Sequence, residues 1–141
     1  MSAPEDTRSI TRFMLDTNII SYIMQGRDQV LLKRLSAVPV GDVVMSSVTL
    51  AELEYGLHRK GNPPRLKNAM EQIVLRVDVL RWDEPVARCY GELCAALEAK
   101  GINLEGMDMM IAAHAVTIGA TLVSRDKAFA QAAHRLQVEV W

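Results

Sequence analysis

Cysteine is nearly absent from this 141-residue chain, which has two, Cys89 and Cys94. Two thiols five positions apart form neither a disulfide framework nor the Cys-x-x-Cys pairs of a zinc site. Aromatic residues make up 5%, too few for the base-stacking platform of a single-strand nucleic-acid binder. Neither sign of charge dominates. Sixteen Lys+Arg against 17 Asp+Glu leave a formal net charge of −1, so any RNA or DNA contact must use a local basic patch. Long apolar runs are missing too. The most apolar stretch, Met107 to Val123, carries Asp108 and His114 and is broken by Gly119, which argues against a membrane span. Residues Met1 to Ser9 lack the apolar segment of a secretory signal. The expectation is a cytoplasmic protein with a polar tail at 1–11 and one domain at 12–141.

What is present is a chain that is 50% hydrophobic, and folding at this length hides about two-thirds of its surface around a core. Short apolar runs alternate with longer segments of helical period, the pattern of an α/β domain with a mostly parallel sheet. Strands are expected at Phe13–Leu15, Val43–Met45, Val77–Leu80, Thr121–Val123 and, at an edge, Val138–Val140. Helices are expected over about Ile19–Met24, Gln29–Ser36, Val48–Lys60, Arg65–Arg76, from Asp83-Glu84-Pro85 to Gly101, Met107–Ile118 and Asp126–Ala133. Ser46 and Ser47 suit the cap of the third, and Asp83 that of the fifth. Cys89 and Cys94 fit the fifth helix as core residues. The sixth is expected to bury one stripe, Met107, Met110, Ile111, Ala115 and Ile118.

Four carboxylates stand at junctions. Asp16 and Asp126 follow strands, Asp108 opens a helix, and Glu52 or Glu54 lies in the first turns after Val43–Met45. Each has a local explanation as a cap or a dipole partner, and Thr49-Leu-Ala-Glu52 fits a capping box. Together they say more. In an open parallel sheet, whatever follows the strands' carboxyl ends faces one crevice, where ligands bind. Separations of 36, 56 and 18 residues among Asp16, Glu52, Asp108 and Asp126 mean that only the fold can gather them. Two carboxylates about 5 Å apart repel by roughly 3 kcal/mol at an effective dielectric near 20. Such a cluster must take up protons or hold a cation, and oxygen donors suit Mg²⁺ or Mn²⁺. A divalent cation in an acidic crevice fits phosphodiester hydrolysis.

The segments Phe-Met-Leu-Asp16-Thr-Asn18, Ser-Ser-Val-Thr-Leu-Ala-Glu52-Leu-Glu-Tyr-Gly56, Asp108-Met-Met-Ile-Ala-Ala-His114-Ala and Val-Ser-Arg-Asp126-Lys-Ala-Phe129 resemble, in order, the motifs of the PIN domain. More narrowly they are similar to VapC, the ribonuclease toxin of bacterial toxin–antitoxin pairs. The resemblance implies a three-layer α/β/α fold with a central mostly parallel sheet flanked by helices. It implies Mg²⁺- or Mn²⁺-dependent cleavage of RNA, with tRNA a common target, inhibition by a VapB-type antitoxin, and a homodimer. It places Asp16, Glu52 and Asp108 on the family's acidic positions. Asp126 falls on a fourth, more variable one where some members carry Asn, and Ser124 stands where Thr is common.

Periodicity leaves Glu52 and Glu54 open; Glu52 is chosen because the resembling motif has its acid before Leu-x-x-Gly, and Glu54 has His58 four residues on as a partner. Asn18 suits either a metal-bound water or a helix cap, and Thr17 and Ser124 are supporting candidates. His114 reads as a core histidine with a satisfied hydrogen bond. His58-Arg59-Lys60 and Arg65-x-Lys67 are the densest basic cluster. Arg59, Lys60, Arg65, Lys67 and Arg125 are candidates to track RNA phosphates beside an acidic cleft. Two rivals remain: a PIN-like module that binds RNA or a partner without cutting, and a Mg²⁺-dependent phosphotransfer domain, whose phosphatase form wants an Asp where Asn18 stands.

Overall fold

The computed structural model describes residues 11–141, so all of the expected polar tail but Thr11 lies outside the described residues. The chain runs β1 (Phe13–Leu15), α1 (Thr17–Gln25), α2 (Gln29–Ala37), β2 (Val43–Ser46), α3 (Ser47–Arg59), α4 (Pro64–Arg76) and β3 (Asp78–Leu80). It continues through α5 (Glu84–Glu98), α6 (Gly106–Ile118), β4 (Thr121–Val123), a 3-10 turn (Lys127–Ala132) and β5 (Val138–Glu139). All neighbouring strands pair parallel in the order β3-β2-β1-β4-β5. Among the described residues no helix is long and apolar enough to cross a membrane.

Period-2 alternation divides the strands between two cores. Met14, Val44 and Leu122 face a cluster built with α5 and α6 (Val86, Leu93, Leu97, Ile111) and Phe129 of the 3-10 turn. Leu15, Val43, Met45 and Val123 face the opposite cluster, with Ile19, Ile20, Leu31, Leu53 and Ile73 of α1 to α4. Strands covered on both faces read as apolar runs. Three layers, α/β/α, follow.

Several local expectations are corrected. Asp83 precedes α5 but makes no side-chain cap bond, so that helix start rests on Glu84 and Pro85. Ser46, not Thr49, caps α3 through the Val48 N–H, and no capping box forms. The last expected helix is a six-residue 3-10 turn. Cys89 and Cys94 are only half-buried. In α6 the buried residues are Met109 and Ile111 to Ala115, while Met107 is 46% exposed. This helix is covered around most of its circumference by α5 and the sheet, because His114 is the only strongly polar side chain between Asp108 and Thr117.

Candidate active site

Because every strand is parallel, Leu15, Ser46 and Val123 end at one edge of the sheet. Asp16 follows β1 and donates its own backbone N–H to Val123 O at 3.1 Å, so the ends of β1 and β4 are joined where the acids gather. α3 leaves β2 at the same edge and carries Glu52. α6 returns antiparallel to the strands before β4, which brings its first turn and Asp108 to that edge as well. Each of the four expected acids is therefore delivered by a different junction.

Asp16 is 5% exposed and caps α1, its Oδ1 accepting from Ile19 N–H at 2.9 Å. Asp126 caps the 3-10 turn in the same way, with Oδ1 accepting from Ala128 N–H. Capping uses one oxygen of each of these two carboxylates. Burial raises the pKa of Asp16 foremost. The Ser124 hydroxyl and the Ile19 N–H pull it down, and the charges of Asp126 and Glu52 push it up again. Asp108 is pushed up to about 6 by burial, then by the charges of Asp126, Glu52, Asp16 and Glu105. Asp16 and Asp108 therefore both feel the charges of Asp126 and Glu52.

The fold also separates Glu52 from Glu54. Glu52 accepts from the Thr17 hydroxyl at 2.5 Å, and its charge acts on Asp16 and Asp108. Glu54 turns outward to His58 at 3.5 Å. Ser124 is buried at 1% exposure; besides neighbouring Asp16, its hydroxyl accepts the backbone N–H of Asp126. Asn18 is exposed on the first turn of α1, whose cap is Asp16 instead.

Among the described residues no three His, Cys, Asp or Glu side chains close into a ready ligand shell. The donor set nonetheless fits a hard divalent cation. It consists of carboxylate oxygens supported by Thr17 and Ser124 hydroxyls. The raised pKa values of Asp16 and Asp108 mark like charge and burial that a cation would offset.

The basic candidates divide. Lys60 and Arg65 line a groove of about 400 Å³ between α1, α3 and α4, floored by Met24, Leu53, Leu57 and Leu66, with Thr17 and Glu52 also in its wall. Arg27, which the sequence reading passed over, joins them. It follows the left-handed Gly26 that ends α1, and no local signal marks it. Lys67 lies in a second recess with Glu54, His58 and Glu71, and Arg59 is exposed and lines neither. Arg125 donates to Trp141 O at 2.8 Å and to Asp28 at 2.6 Å, and stacks over Tyr22. Its guanidinium ties the end of the chain to α1 and α2. Glu105 was also missed, although its place three residues before Asp108 puts both on one helix face.

A doubly covered parallel sheet with an acidic crevice at its carboxyl edge defines an α/β/α domain of the PIN kind. The chain belongs to the PIN domain family, whose model matches residues 13–135. It is 34% identical over 130 residues to Ribonuclease VapC1 of Haemophilus influenzae (strain R2866), covering 92% of this chain and 97% of that one. It is 33% identical to the tRNA(fMet)-specific endonuclease VapC of Shigella flexneri, covering 92% and 98%. The DNA-bound VapBC structure from Salmonella typhimurium superposes with a TM-score of 0.85 at 29% identity, covering 93% of this chain and 98% of that one.

Proposed function

We propose that this chain is a metal-dependent endoribonuclease toxin that hydrolyses phosphodiester bonds of structured RNA, tRNA first among them, and is neutralised by a VapB-type antitoxin. One observation carries the reading: carboxylates from four separate junctions meet at one sheet edge, where the charges of Asp126 and Glu52 add to burial in raising the pKa of Asp16 and Asp108. The substrate class is supported by the tRNA(fMet)-specific relative, and the partner by likeness to VapBC complexes. A homodimer is the expected assembly, checked by sedimentation.

Asp16, Glu52 and Asp108, with Asp126, would hold Mg²⁺ or Mn²⁺, which supplies an activated water and charge stabilisation at phosphorus. The chain's own groups arrange the acids. Thr17 fixes the Glu52 carboxylate by donating to it. The Ile19 and Ala128 N–H groups orient Asp16 and Asp126. Ser124 joins the backbone of Asp126 to the surroundings of Asp16. Arg27, Lys60 and Arg65 give an RNA strand a cationic approach to a crevice that would otherwise repel it. The apolar floor of the same groove suits the apolar face of an amphipathic antitoxin segment, which would then cover Glu52 and block RNA.

Incubation with total RNA in Mn²⁺, against EDTA, followed by end-sequencing tests the reading. Water attack leaves a 5′-phosphate and a free 3′-hydroxyl. Products ending in a 2′,3′-cyclic phosphate would point to attack by the 2′-hydroxyl and refute a hydrolytic mechanism. The double variant Lys60→Gln/Arg65→Gln should raise KM with kcat little changed. It should also lower the slope of log KM against log salt by about 1.4, or about 0.7 per lost phosphate contact on a single strand. An unchanged salt slope removes both residues from the RNA path.

A further inference from the structure

His114 is 1% exposed on α6, with its Nδ1 at 2.8 Å from Ser46 Oγ. That oxygen already accepts the Val48 N–H at 3.1 Å, which caps α3. The Ser46 hydroxyl still has its proton to donate and a second lone pair to accept with, so it can pair with Nδ1 in either tautomer of a neutral imidazole. Burial favours that neutral form by lowering its pKa, against the raising effect of Asp83 and with the lowering effect of Arg12. Ser46 thus holds the end of β2, the first turn of α3 and the middle of α6 on one hydroxyl group. Glu52 lies six residues beyond Ser46 on α3, and Asp108 lies six residues before His114 on α6.

We propose that His114, through Ser46, is a positioning residue that fixes the helix carrying Glu52 against the helix carrying Asp108. The inference rests on the nuclease reading of the crevice. The other buried side chains of α6 are Met109, Ile111, Ala112, Ala113 and Ala115, and apolar contact of that kind is non-directional. It lets one helix slide or turn against another at small cost. A buried hydrogen bond has a preferred length and angle, so it sets a spacing that packing alone leaves loose. A second tie runs beside it. The Trp82 backbone N–H donates to Ser47 Oγ at 3.1 Å, and its indole N–H donates to Met110 O at 3.0 Å. Loss of the histidine tie therefore leaves α3 and α6 attached but less exactly spaced.

The test uses the full chain as wild type, His114→Leu, Ser46→Gly and His114→Asn. Leucine fills the space without an acceptor. Glycine remains a serviceable cap for α3 while removing the hydroxyl. Asparagine puts an acceptor oxygen near the place of Nδ1. Near-ultraviolet circular dichroism establishes folding, electron paramagnetic resonance measures Mn²⁺ binding, and RNA cleavage gives kcat and KM. His114→Leu and Ser46→Gly should fold, bind Mn²⁺ about tenfold more weakly, and lose about 10- to 100-fold in kcat with KM nearly unchanged. His114→Asn should recover most of both. Folded His114→Leu with wild-type Mn²⁺ affinity and kcat overturns the inference, as does folded His114→Asn without recovery. Failure of both His114→Leu and Ser46→Gly to fold would assign the pair to core stability alone and overturn it too. A wild-type chain that neither binds Mn²⁺ nor cuts RNA brings down the nuclease reading itself, a result separable from the others.

Discussion

Asp16→Asn is expected to lower RNA cleavage by about a thousandfold while raising the thermal midpoint of the protein. Both effects come from one buried carboxylate. Asparagine keeps an oxygen for the Ile19 N–H, so α1 remains capped. What disappears is negative charge at a position 5% exposed, beside Asp126 and Glu52. Loss of an anionic ligand for the cation removes about 4 kcal/mol of transition-state stabilisation, or roughly three powers of ten. The same change relieves burial and like-charge repulsion in the metal-free fold, for a gain of about 2–5 °C. Cleavage assays and calorimetric melts in EDTA check the two halves independently. Cleavage at the wild-type rate removes Asp16 from the machinery, and a lower midpoint refutes the electrostatic account of the crevice.

The second large effect is a pH dependence centred on Asp108. Its folded pKa of about 6 stands above the ordinary 3.8, so the folded state holds the proton more tightly than the unfolded chain does. The stability linked to that proton is fully present below the unfolded pKa and is lost as pH rises through the folded one. In EDTA, Asp108→Asn should therefore match the wild type near pH 4, melt increasingly higher than it as pH rises from about 4 to 6, and keep a constant lead above that. Taking the difference between the two proteins removes the opposite contribution of His114, whose lowered pKa makes stability fall as pH drops. Mn²⁺ at about pH 8 should close the gap by stabilising the wild type alone. Because proton and cation compete for the carboxylate, Mn²⁺ affinity should fall about tenfold per pH unit below 6. A flat difference curve would show that neither burial nor its neighbours' charge raises the pKa of Asp108.

Much of the fold is legible along the chain because its elements are locally signalled. Val43 to Met45 and Thr121 to Val123 are apolar on successive positions, as strands covered on both faces must be. Gly26 and Gly119 end α1 and α6 in left-handed conformations, at φ of 70° and 68°. α6 defeats periodic reading for a physical reason. A helix buried around most of its circumference has no polar face, so the stripe drawn through Met107 and Ile118 is only one of several available. The acids at Asp16 and Asp126 are legible as caps, and capping in turn delivers them to the sheet edge.

The sequence by itself determined the order of strands and helices, the parallel α/β class and a short roster of acids, since these follow from periodicity, turn residues and caps within a few positions. Tertiary structure decided the relations between distant segments: Glu52 inward to Thr17 with Glu54 outward to His58, Arg27 beside Lys60 and Arg65, Arg125 held by Asp28 and Trp141, and His114 joined to Ser46 across 68 residues. Side-chain direction on a helix apolar on several faces is fixed by what packs against it. That packing arises only when the sheet brings remote helices together.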